Sequence, residues 1–143
     1  MLGIILSIIA GVSMSLQGVF NTRLGEKVGI WETSVLVQGI ALIVALIATF
    51  SIGDGSFRAI KDANKIYLLG GVLGAVITFT VMRGIGALGT TLAIAIILVA
   101  QLTAAALIDH FGLFGANCVK CGLRQFIGVA VMIIGIIIFK WKG

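Results

Sequence analysis

The sequence predicts an all-α membrane protein with five transmembrane helices per chain, two chains pairing antiparallel into a ten-helix bundle with inverted repeats. Three observations lead there. Of 143 residues, 60% are hydrophobic and 10% charged, with a mean hydropathy of +1.25, whereas a soluble domain carries about 25% charged residues. The apolar residues fall into five long runs bounded by charges or by Gly, Asn and Asp. The ten Lys and Arg are scattered between those runs rather than gathered into a stripe. These features exclude a water-soluble globule, a disordered chain, collagen and a coiled coil. The net charge of +5 and pI near 9.7 then read as membrane anchoring, with no nucleic-acid partner.

Each run is long enough, at about 1.5 Å per residue, to cross about 30 Å of hydrocarbon when its flanking Lys and Arg snorkel. The first covers Leu2 to Phe20. It lacks a basic leading segment and an A-x-A-like cleavage site, so it reads as a span and not a signal peptide. The others run from Ser34 to Ile52, Ile66 to Met82, Thr90 to Ile108 and Leu123 to Phe139, giving one five-helix domain over residues 1–143. Strands of a membrane barrel would alternate apolar and polar residues, and these runs do not. The chain has no Pro, so any helix break falls to Gly or to a polar side chain. Gly11, Gly18 and Gly25 recur every seventh residue, and Gly70 and Gly74 form a small-xxx-small pair. Gly11, Gly18, Gly70 and Gly74 are therefore expected at helix contacts, although Gly is also simply common in membrane helices.

Loop charges decide orientation, because membranes favour Lys and Arg on the cytoplasmic side. With five spans, one face carries Arg58, Lys61, Lys65, Lys120 and Arg124, and the other Arg23, Lys27, Arg83, Lys140 and Lys142. Neither face outweighs the other, which predicts insertion in both orientations. The expected partners are the lipid bilayer and a second, inverted copy of the chain, related by a two-fold axis in the membrane plane. Otherwise the balance is accidental and a partner subunit or the insertion machinery fixes one orientation.

Polar side chains are expensive in hydrocarbon and should face protein or a water-filled cavity. Gln17 and Asn21 lie on one face of the first helix, Gln38 lies near the start of the second, and Gln101 lies midway along the fourth. These four are the candidate lining of a polar substrate pathway. Their alternative role is interhelical hydrogen bonding alone, worth about 0.6 to 2 kcal/mol each. Asp109, at the end of the fourth helix, is the one carboxylate within reach of a span. It reads as a helix-end acid at the interface or as a gating group beside His110, with a cross-subunit Arg83–Asp109 ion pair conceivable in an antiparallel dimer. Cys118 and Cys121 form a lone CxxC, short of the ligands a zinc site needs and of a thioredoxin-like setting. No metal or cofactor is expected. No phosphate loop, triad or H-E-x-x-H occurs, so the chain does not read as an enzyme. Trp31, Tyr67 and Trp141 fall at span ends, where aromatic rings settle among headgroups, and Trp31 also suits a cavity entrance.

Two stretches, QGVFNTRLG from Gln17 to Gly25 and QLTAAALIDHFGLFG from Gln101 to Gly115, resemble the signatures of the YdcZ-like family in the drug/metabolite transporter superfamily. The five-helix pattern extends the resemblance over the whole chain. It implies a small secondary transporter in the bacterial inner membrane, acting as an antiparallel homodimer, a two-gene heterodimer or a fused ten-helix protein, with its small-molecule substrate undefined. A non-transporting membrane subunit or assembly factor is the alternative. The segment Ala116 to Cys121 replaces the Pro-containing loop expected of that family. The related small multidrug resistance exporters carry a Glu inside helix one, whereas here that helix has none, which argues against proton-coupled cation export by their mechanism.

Overall fold

The computed structural model describes residues 1–116 and 122–141. Among them are five helices long and apolar enough to cross a membrane. These are α1 (Leu2–Val28), α2 (Ile30–Ile52), α3 (Leu69–Leu88), α4 (Thr90–Phe111) and α5 (Leu123–Lys140). The chain divides into two compact units, Met1–Ala87 and Leu88–Gly143. The first holds α1 and α2 and all of α3 but its last residue; the second holds α4 and α5.

The helix bounds correct the expected ones, and chiefly at one end of unit 1. Helix α1 continues eight residues beyond Phe20, to Val28, and α2 starts at Ile30 rather than Ser34. Hydropathy marks where a helix leaves hydrocarbon, not where it stops. Leu24, Glu26 and Lys27 are good helix formers, and Arg23 Nη1 reaches Glu26 Oε2 at 3.1 Å one turn on. At 27 residues α1 is about 40 Å long, so its charged end extends past the hydrocarbon layer. What stops it is Gly29, whose φ of 101° and ψ of 151° lie where only glycine settles readily. That single residue separates α1 from α2.

The third candidate span covers Lys65–Leu88, a 3₁₀ turn leading directly into α3. Its expected start, Ile66–Leu68, forms part of a 3₁₀ turn (Lys65–Leu68) opened by Asn64, whose side chain accepts from the Ile66 N–H at 3.1 Å. Its end lies at Leu88 instead of Met82, just before Gly89 (φ 80°). A second 3₁₀ turn, Phe57–Lys61, is capped by Ser56. Helix α4 runs to Phe111 rather than Ile108 and closes on Gly112 in the left-handed conformation, the usual helix C-terminal device. Helix α5 extends one residue past Phe139 to Lys140, and Gln125 Oε1 accepts from the Gly122 N–H at 2.8 Å in its first turn. Cys118, Cys121, Lys120 and Lys142 lie outside the described residues.

Little apolar surface is buried within the chain. Met82, Ile85 and Ala93 are the buried apolar residues among those described, and Ile, Leu, Val and Phe stand exposed along every helix. In water such a surface would aggregate. Against lipid tails it costs nothing, and cohesion passes to close packing and hydrogen bonds. Gly18 shows the packing: a Cβ there would stand 2.8 Å from Ile85 Cδ1 and 3.2 Å from Val81 Cγ1. Helices α1 and α3 therefore meet across a glycine. Gly74 receives the α2 amide Gln38 Nε2, 3.5 Å from its would-be Cβ, whereas Gly11 and Gly70 have open space there.

Candidate functional site

The buried polar side chains gather at one end of unit 1. Asn21 and Thr22 near the end of α1, and Thr33 and Ser34 near the start of α2, are all nearly inaccessible. The one-residue turn at Gly29 brings this about by folding α2 back beside α1. The Thr22 hydroxyl donates to the Gly18 carbonyl at 2.7 Å. Thr33 Oγ1 is fully buried with no hydrogen-bond partner, at 3.7 Å from where a Gly25 Cβ would stand.

An orphaned hydroxyl carries a desolvation cost. Thr33→Val, which keeps the shape and removes that group, is expected to leave the protein as stable or to raise its stability by about 1 kcal/mol. Chemical unfolding in mixed micelles checks this, and a loss above that size would mean the hydroxyl has a partner in the folded state.

Beside this cluster lies a cavity of about 410 Å³, lined from α1 by Thr22, Gly25 and Glu26, from α2 by Ile30, and from α3 by residues including Met82 and Arg83. Its charged groups are held differently. Glu26 is engaged by Arg23 on its own helix, at 3.1 and 3.4 Å. Arg83 has its guanidinium 5.8 Å from the centre of the Phe79 ring, and Phe79 stacks on Trp31 of α2 at 4.9 Å and 18°. A cation over an aromatic face is attracted by the ring's negative surface. The Trp31–Phe79–Arg83 column thus places the arginine beside the cavity, next to the aromatic pair that joins α2 and α3. Among the described residues no carboxylate pairs with Arg83.

The expected pathway residues are distributed unevenly. Asn21 is buried in the unit 1 cluster, Gln38 is exposed and lies by Gly74, and Gln17 is exposed on α1. Gln101 is exposed on α4 in unit 2. Asp109 is exposed at the end of α4, and His110 is half-buried, lining a smaller hollow of about 270 Å³ with Thr103, Gln125 and Phe126. Arg83 stands at the larger cavity. Thr22, Glu26, Thr33 and Phe79 were not among the sequence candidates. A Thr one turn after a packing Gly was visible as a signal for Thr22. Phe79 had none, since its role depends on which helices are neighbours.

A family model described as "Putative inner membrane exporter, YdcZ" matches residues 2–138. No curated protein matches the chain, and no solved structure does.

Proposed function

Since this chain belongs to the YdcZ family and is an integral, multi-pass transporter of the inner membrane, we propose that it exports a small molecule as a dual-topology antiparallel homodimer, with the unit 1 cavity as part of the substrate path. The observation that carries this reading is the cavity itself. Four buried polar side chains, with the Thr33 hydroxyl unpartnered, stand next to a hollow holding Glu26 and Arg83, a gathering of polar groups in a chain otherwise packed for lipid. A purely adhesive subunit has no use for a hollow there.

The homodimer rests on two supports. One is the even division of Lys and Arg between faces, which leaves insertion unbiased. The other is the exposure of Gln17 and Gln101 within apolar spans: bare amides in hydrocarbon gain by meeting a partner chain or enclosed water. An inverted pair would place two copies of each around one two-fold axis, as inverted repeats do within single-chain transporters.

Two measurements test the reading. Paired reporters on the C-terminus, each active on one side of the membrane, should give comparable signals, and a signal from one side alone would sink the dual topology. Comparing small molecules released by cells expressing the protein or its Gln101→Leu variant should show at least one compound whose export the variant abolishes while crosslinked dimer persists. Identical release profiles would remove the assigned role of Gln101 in the path.

A further inference from the structure

Resting on the export reading, the structure assigns a substrate class to the unit 1 cavity: a small amphipathic organic anion, its carboxylate held by Arg83 and its apolar body against Ile30 and Met82. The argument is one of charge accounting. Two ionic side chains line the cavity, Glu26 and Arg83. Glu26 is already engaged by Arg23, and Glu32, the next acid along, has its carboxylate packed against Gly29. Arg83 is left with an aromatic face as its contact. That contact orients the guanidinium without neutralising it, so the charge the cavity offers a ligand is positive.

A guanidinium is permanently charged, and its planar fork matches a carboxylate through two parallel hydrogen bonds. The remaining wall is mostly apolar, with Ile30, Met82 and Ala87 among its residues. This suits an organic body better than a hydrated inorganic ion. Gly25 adds a little room: a Cβ there would sit in ordinary contact with Met82 Sδ at 3.4 Å and Ile30 Cγ1 at 3.7 Å, so the glycine leaves a methyl-sized recess among residues of the cavity wall. About 410 Å³ lies within the range of small-molecule sites.

The same chemistry would attract the phosphate of an anionic lipid, because the charged end of α1 reaches the headgroup layer. The experiment therefore separates a free carboxylate from a lipid headgroup. Purified full-length protein in neutral maltoside micelles is titrated calorimetrically with four probes of one skeleton: 3-phenylpropionate, 3-phenylpropylamine, phenylalanine and 3-phenylpropanol. The anion should bind at least about tenfold tighter than each of the others, the size of one good charge-assisted contact. Arg83→Gln should erase that preference. Arg83→Lys, which keeps the charge and loses the fork, should bind the anion more weakly than wild type but retain its order over the amine. Gel filtration confirms the fold of each variant.

Tighter or equal binding of the amine, the zwitterion or the alcohol overturns the assignment, as does binding of none of the four or a preference that survives Arg83→Gln. In nanodiscs the preference should persist in both phosphatidylcholine and phosphatidylglycerol. Its loss in phosphatidylglycerol alone would show a site occupied by lipid and also overturn it. Binding is read here without transport, so a protein that prefers the amine would lose the anion assignment and keep the export reading. Export failure with intact anion selectivity would do the reverse.

Discussion

Gly18→Leu is expected to lower the stability of the folded chain by about 3 kcal/mol, the upper range for overpacking a close contact. The reason is the 2.8 Å and 3.2 Å separations from its would-be Cβ to Ile85 and Val81 on α3. A methyl group already requires the Ile85 tip to move, which a flexible side chain does cheaply. Three further carbons have no such outlet, and α1 must part from α3. Lost packing matters more here than in water, since lipid tails accept any apolar face and leave close contact as the main source of helix adhesion. The midpoint of unfolding in mixed micelles should fall steeply for Leu and slightly for Ala. Equal midpoints for wild type and Gly18→Leu would refute the α1–α3 contact. Gly11→Leu is the internal control, since its position has open space around it and no comparable loss is expected.

The second large effect belongs to Gly29→Ala. At φ 101° and ψ 151° the backbone lies in a region that is essentially closed to residues with a Cβ, at a cost of about 1–3 kcal/mol. The Glu32 carboxylate, moreover, stands where that Cβ would go. The two contributions can be separated. If backbone strain dominates, as its residue-intrinsic origin implies, adding Glu32→Ala to Gly29→Ala should recover little of the loss. Full recovery in the double variant would assign the penalty to the side-chain collision. Either measurement is made by the same unfolding assay, with proteolysis at the turn as a local readout.

How much of this was legible in the sequence follows from what each signal measures. Length and hydropathy report crossings of hydrocarbon, and they located five spans because Ile, Leu, Val and Ala fill each one. They are silent about helix outside the lipid, which is why α1 was expected to stop at Phe20 although Arg23, Glu26 and Lys27 continue it. The glycine spacing singled out Gly11, Gly18, Gly70 and Gly74; among the described residues a Cβ at Gly18 or Gly74 would meet side chains of other helices, while at Gly11 and Gly70 it would have open space within 4 Å. Spacing identifies which residues permit close approach and not which surface approaches. Asn21 was visible as a polar residue in a span. The Trp31–Phe79–Arg83 column was not, because Trp31 opens α2 while Phe79 and Arg83 lie in α3, with the rest of α2 and the 3₁₀ turns between them in sequence, and no local pattern links them.

The one-residue join at Gly29 also limits how unit 1 can move. A one-turn slip of α1 along α2 would demand a displacement of about 5.4 Å, while Val28 and Ile30 are joined by two peptide steps that together span at most about 7 Å, a reach already taken up in crossing from one helix to the other. Ratcheting of this hairpin is thereby forbidden, and its two arms must tilt or swing together as one lever.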